Sequence, residues 1–291
     1  MTQSILEIVQ DLAARAYLTV GSDVVNTQDS TAKHLLALAH LEGAELVSKA
    51  DFPELVRLHT ITLIDGQEQY ALPVDFDRAV MRTFWDNSNT WRTSPVTPQT
   101  WRTLKTNLVN ALVSKVQRFW SWDDNKIFIY PVPTSDDAGN TLSFEYLSNT
   151  WIRPQKWGEG TTYDSGARVW ANGNIYTADS AGAAGATQPT HTTGSASDGS
   201  LSWTYLQNYG QTRFLQNTDV PLIDATLLSL GIRLRYERET EHDASDATRE
   251  EYERRLNRKI TALKDTEPFG FSGRYVTEGN IPILPDGNFS L

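Results

Sequence analysis

Between Trp157 and Tyr205 the composition of the chain changes abruptly, and that change decides how everything else divides. Before it runs an alternating strand pattern, Leu142-Ser143-Phe144-Glu145-Tyr146, which continues to Trp151. After it the chain resumes at Arg213-Phe214-Leu215 and passes through Asp219-Val220-Pro221 into helical periodicity. The 49 residues between carry eight glycines, six Trp or Tyr and only five charged side chains, in a background of Ala, Ser and Thr. Such a shift marks a module inserted at an exposed loop of a finished fold. The chain therefore reads as a host, residues 1–152 and 212–265, carrying a guest, residues 153–211. An extended arm, residues 266–291, follows.

The host opens with helices. Ser4-Ile5-Leu6-Glu7 has capping-box spacing, in which Ser satisfies a free backbone N–H and Glu reaches back to the cap. Behind it Ile5, Ile8, Val9, Leu12 and Ala16 form one apolar stripe, predicting a helix over 4–19. A second helix is predicted over 30–50, starting near Asp29 or Ser30 and carrying Leu35, Leu38, Ala39 and Leu46.

From 55 to 151 the rhythm is that of strands. Asp65-Gly66 lies between Leu58–Ile64 and Gln69–Leu72 and predicts a tight hairpin, because both turn positions accept positive φ. Thr97-Pro98 reads as an N-cap and first-turn proline. Leu142, Phe144 and Tyr146 face one way and Ser143 and Glu145 the other, predicting an antiparallel sheet with one wet face. Helices are expected again over 221–241, opened by Pro221, and over 243–264, with Glu250–Arg254 and Glu251–Arg255 as i,i+4 pairs. The arm is different: Phe269, Phe271, Tyr275, Ile281, Ile283 and Leu284 are apolar anchors with no helical or strand period, set among prolines. The predicted fold class is α+β, a helical bundle with an antiparallel sheet or sandwich and a small inserted all-β module.

Composition excludes several functions. There are no cysteines, hence no disulfides, thiolate metal sites or cysteine nucleophiles. No run reaches the ~18 apolar residues of a membrane span, and the N-terminus lacks the marks of a signal peptide, so synthesis in a cytoplasm is expected. A net charge of −10 argues against tight non-specific duplex binding, which rests on Lys and Arg, but does not exclude contact with passing DNA, because an acidic wall would repel rather than trap it.

The five histidines have no metal-ligand spacing. Gly270-Phe271-Ser272-Gly273 is not a nucleophile elbow, and Gly158-Glu159-Gly160 is not followed by the third glycine of a dinucleotide fingerprint. Asp123-Asp124 and Asp136-Asp137 sit among turn formers and read as turn residues. No catalytic residue, metal site or cofactor is assigned. In the guest, short strands flank Asn172-Gly173, another hairpin signal, and most of the rings read as its core. Trp170, Tyr176 and Trp203 are the candidates for an exposed platform on which a sugar ring stacks.

With the guest removed, Leu72–Arg78, Trp101-Arg102-Thr103-Leu104, Lys126–Pro133, Phe144–Trp151 and Asn217–Ile223 stand in the order of one family. Over most of 1–152 and 212–265 the chain resembles the head-to-tail adaptors of short-tailed phages, also called tail tubular protein A. That resemblance implies a ring of twelve copies beneath the portal protein, carrying a tail nozzle of the tail tubular protein B kind, in the neck of the virion. DNA would pass through the lumen without sequence-specific binding, and the arm would reach the portal. The guest, through Trp157, Tyr163, Val169-Trp170, Gly173, Ile175-Tyr176, Pro189 and Trp203, resembles small chitin-binding-type carbohydrate modules and similar inserts that decorate phage virion proteins. The rival readings are a carbohydrate-binding tail adhesin and a glycosidase, which needs only two carboxylates.

Overall fold

The structure, a computed structural model, describes residues 3–80, 82–106, 119–123, 125–240 and 246–264. Two helices come first, α1 (Ile5–Arg15) and α2 (Ser30–Lys49). A β-rich stretch follows: β1 (Val56–Thr62), β2 (Gln69–Ala71), β3 (Phe76–Ala79), β4 (Trp85–Asp86), β5 (Trp91–Arg92) and β6 (Ser94–Pro95). It continues through α3 (Pro98–Thr106), β7 (Phe119–Asp123), β8 (Lys126–Tyr130) and β9 (Thr141–Ser148). The insert lies among β10 (Ile152–Arg153), β11 (Thr162–Tyr163), β12 (Arg168–Ala171), β13 (Asn174–Ala178), β14 (Gly182–Ala183), β15 (Ser195–Asp198) and β16 (Leu201–Gln207). After β17 (Val220–Pro221) come α4 (Ala225–Glu239) and α5 (Asp246–Lys264). The fold is α+β.

The chain divides into two compact units along lines other than host and guest. One unit holds Met1–Leu55 together with Asn149–Lys264; the other holds Val56–Ser148. The helices and the insert thus share a unit, and the first β region stands as its own.

In the helical unit, Ser4 and Glu7 form both halves of the capping box, Glu7 N donating to Ser4 Oγ at 3.3 Å and Ser4 N to Glu7 Oε2 at 2.8 Å. The apolar stripe Ile5, Ile8, Val9, Leu12 is buried as its spacing requires. This helix stops at Arg15, short of the predicted 19, because Tyr17 takes the left-handed conformation (φ 57°) and Leu18 N bonds back to Ala13 O at 2.8 Å. Asp29 caps α2 through Thr31 N. Pro221 does not open α4: it lies in β17, paired with Ile152, and the cap is Asp224, whose side chain takes the amides of Thr226 and Leu227. A proline has no N–H to offer a ladder, so it suits a two-residue edge strand as well as a helix start. On α5, Arg255 pairs with Glu251 as expected, while Arg254 also turns to Glu251 rather than to Glu250.

α2 and α4 pack closely where two glycines face large partners. A Cβ on Gly43 would sit 2.1 Å from the Trp151 ring, and one on Gly231 would sit 2.2 Å from Glu42 Oε1. Glu42 is buried and takes Arg235 Nε at 2.6 Å from α4 and Tyr252 OH at 2.6 Å from α5; Arg235 also reaches Glu45. One carboxylate thus ties three helices.

The Val56–Ser148 unit is a sandwich. One sheet has the order β1-β9-β4-β5, with β3 also on β9; the other has β2-β8-β7-β6, and β6 runs parallel to β7. Ile61, Leu142, Phe144 and Tyr146 of the first sheet meet Tyr70, Ile127 and Ile129 of the second in a single core. The expected Asp65-Gly66 hairpin is not formed. Gly66 has positive φ (72°), yet β1 pairs with β9 and β2 with β8, so the turn is a corner between two sheets. Crossing over lets Ile61 and Leu63 face Tyr70 and Leu72 across the core instead of lying beside them. The face of β9 expected to be wet is largely covered as well: Ser143 and Leu147 are buried and Glu145 is half-buried, with Ser143 Oγ on Asn87 Oδ1 at 2.8 Å.

Candidate functional site

The insert is built on a four-stranded sheet in the order β12-β13-β16-β15, with β11 paired to β14 beside it. Asn172 and Gly173, at φ 47° and 82°, make the tight turn between β12 and β13. Its two ends meet: Ile152 and Gln211 exchange backbone hydrogen bonds at 3.0 and 2.7 Å. The segment that follows holds the insert to the helices, with Arg168 N donating to Gln216 Oε1 at 2.8 Å.

The aromatic rings do two jobs. Trp157, Tyr163, Tyr176 and Trp203 are buried with Val169 and Leu201 in the insert's core. Of the three platform candidates, Tyr176 and Trp203 are 0% exposed, so neither can present a ring face to a sugar as the module stands. Trp170 is only partly buried. A module of this size has few aliphatic residues, and its largest rings are consumed in filling it.

What the rings leave is a cleft of about 580 Å³ on the insert, walled by residues 185–191 on one side and by Ala196–Gly199 on the other, with Trp203 beside them. Asp198 is the acid of this cleft. Its Oδ2 accepts two indole N–H groups, from Trp157 at 3.2 Å and Trp203 at 3.0 Å, which fix the carboxylate. Its Oδ1 lies so close to residue 185 that a Cβ there would approach to 2.3 Å, and the residue is Gly185. The opposite wall is pinned at two points, Pro189 O taking Asn172 Nδ2 at 3.1 Å and His191 O taking Tyr176 OH at 2.8 Å. His191 Nε2 is covered from water and has no hydrogen-bond partner. Neither Asp198 nor His191 stands out in the sequence. The usable signal is that Asp198 is one of only four acidic residues in a charge-poor stretch rich in Trp, whose indole N–H groups need buried acceptors.

Elsewhere the titratable groups serve the fold. His40 Nε2 accepts the Phe214 amide at 3.0 Å, and burial, then Arg213, holds its pKa below the usual range. His59 packs edge-on to Phe144 and is lowered by burial against the opposing pull of Asp75. Asp75 is itself buried, accepting Tyr146 OH at 2.9 Å and Ser148 Oγ at 2.6 Å; burial and this bond push the Tyr146 phenol up. Asp137 closes its own turn through Thr134 N and Oγ1. Among the described residues no three His, Asp or Glu gather as a metal site, and no helix is long and apolar enough to cross a membrane. The six arm anchors, Phe269, Phe271, Tyr275, Ile281, Ile283 and Leu284, lie outside the described residues, as do Asp124 and Gly270–Gly273.

Large apolar side chains also stand in solvent. Tyr17 is 98% exposed just past α1, Leu41 projects from α2, and Leu58 and Val74 are exposed on the sandwich. Single exposed apolar residues are ordinary, and the left-handed backbone of Tyr17 belongs to the end of α1.

The family model for SU10 adaptor protein matches residues 4–269. The chain belongs to the SU10 adaptor protein family. It is a phage structural adaptor, a component of the virion rather than an enzyme, and works with other virion proteins. The match spans helices, sandwich and insert alike. A comparison with curated proteins finds no match.

Proposed function

We propose that this SU10-family adaptor forms a ring of twelve copies between the portal and the tail nozzle, with the genome passing through its lumen. The observation that carries the reading is the family match over 4–269. Two features agree with it. Exposed Tyr17, Leu41, Leu58 and Val74 are surface that subunit neighbours would cover. A net charge of −10 suits a conduit, since an acidic wall repels DNA rather than trapping it. The arm, residues 266–291, docks on the portal through its scattered anchors, and the insert, 153–211, decorates the outside of the ring as a carbohydrate-binding module. The specific likeness to tail tubular protein A belongs to this same reading.

Mixed with the portal of its own phage, the purified protein should give a complex of ring size by light scattering. Deleting 266–291 should abolish that complex while leaving the melting temperature nearly unchanged. A protein that stays monomeric with its portal, and is missing from purified virions, would sink the ring.

A further inference from the structure

We propose that the cleft between residues 185–191 and Ala196–Gly199 is a binding site for one or two residues of a neutral polysaccharide, with the Asp198 carboxylate accepting from its hydroxyls. The proposal rests on reading the insert as a carbohydrate-binding module, and it moves the site away from the aromatic platform to a place that reading does not name.

The chemistry of the lining selects the ligand. Asp198 is the only formally charged residue of the cleft, and no Lys or Arg lines it, so phosphates and acidic sugars find no counter-charge. The wall residues are Gly, Ala, Thr, Gln, Pro and Ser, with one His; Trp203 is fully buried, so the cleft offers no exposed indole face on which an aromatic ligand could stack. A cation fits poorly as well. Calcium takes six to eight oxygens, whereas Asp198 Oδ2 is already committed to two indoles and no second carboxylate lines the cleft. Hydroxyl-rich and uncharged is what remains, and about 580 Å³ is within the size of small-ligand sites.

The geometry agrees. The two indole N–H groups hold the carboxylate still, so a bound hydroxyl meets a pre-oriented acceptor. Asp198 is 9% exposed and the Gly185 backbone packs against its Oδ1, so a hydroxyl reaches that oxygen past residue 185, where the missing β-carbon leaves the least obstruction. His191 Nε2 is an unmet polar group beside the cleft, which is costly in a finished fold and which a ligand hydroxyl would satisfy after a small shift of the 185–191 wall. That wall has little regular structure and is tied at Pro189 and His191, leaving Thr187, Gln188 and Thr190 to adapt.

The test uses the full chain on an array of neutral oligosaccharides, including N-acetylglucosamine oligomers, glucans, mannans and galactans, with acidic glycans alongside. Hits are then titrated by calorimetry against Ser197→Trp, which fills the cleft, His191→Phe, which removes Nε2, and Trp170→Ala. Ser197→Trp should weaken binding at least ~10-fold, and His191→Phe about 3- to 10-fold, the range expected for one hydrogen bond. The melting temperature of each variant shows whether it is folded, and should Ser197→Trp unfold, His191→Phe and Asp198→Asn carry the test. Hits that survive every cleft variant and vanish only with Trp170→Ala would overturn the cleft while leaving a carbohydrate-binding insert. Binding confined to acidic glycans would overturn the cleft's proposed chemistry. No hit on the array would remove the carbohydrate reading itself, and the cleft with it.

Discussion

Asp219 shows how much a single enclosed group can report. It is 0% exposed, its Oδ2 accepts the Leu215 and Gln216 amides at 2.6 and 3.0 Å, and its Oδ1 has no hydrogen-bond partner. Burial pushes its pKa up from 3.8 to about 6, against the two amides and Arg168, which pull it down. A raised carboxylate is better tolerated protonated in the folded state, so its contribution to stability is greatest below 3.8 and is lost as pH rises through about 6. His40 works the other way, since its lowered pKa favours the fold above the ordinary histidine range. The clean measurement is therefore a difference. Relative to Asp219→Asn, the natural chain should gain about 2 kcal/mol in urea unfolding between pH 7.5 and 4.5, because one pH unit of pKa change corresponds to about 1.4 kcal/mol. A gap that stays flat over that range would mean Asp219 is solvated after all.

At the scale of elements, Glu42 is the side chain on which α2, α4 and α5 converge. Removing one partner of a buried pair leaves the other charge uncompensated, so Glu42→Ala should cost roughly 3 kcal/mol in urea unfolding, less if Arg235 finds Glu45 or water. Glu42→Leu combined with Arg235→Met should recover much of that loss. If the double variant is as unstable as the single, the network matters for more than its charge. This convergence was not readable beforehand: Glu42 looks like any helix glutamate until Gly231 and Tyr252, some two hundred residues away, are brought to it. Local signals did carry through. Ser4 with Glu7, Asp29, and Asn172-Gly173 each do what their chemistry predicts, since a cap or a tight turn is settled within four residues. Asp65-Gly66 and Pro221 misled for one shared reason. Their local preferences allow two outcomes, a hairpin or a corner, a helix start or an edge strand, and the sandwich core and the Ile152 pairing choose between them. In the insert most rings were legible as core but not which ones: Tyr176 and Trp203, the platform candidates, are enclosed, because burial depends on how many aliphatic neighbours a small module can muster.

For the whole molecule, the question is whether the insert is a passenger. Its ends are bridged by the Ile152–Gln211 backbone pair, and β10 continues into pairing with β17, so the chain on either side is already joined without it. Replacing 156–210 with a short Gly/Ser linker should then leave a soluble protein with its helices intact, since closure cost changes only slowly with loop length. The counter-pull is specific: Gln216 would lose both Arg168 N and Gly166 O, and Asp219 would lose the nearby Arg168 cation that lowers its pKa. The shortened protein should therefore show the Asp219 pH effect more strongly, with the loss of stability extending to higher pH, while keeping its far-ultraviolet circular dichroism per helical residue and its assembly with the portal. Both readings matter together. Aggregation, or loss of helical signal, would show that the helices need the insert as a packing partner, which is what its place in one compact unit with them would then mean. Intact helices with a stronger pH dependence would make the insert a separable module that tunes one buried carboxylate of its carrier.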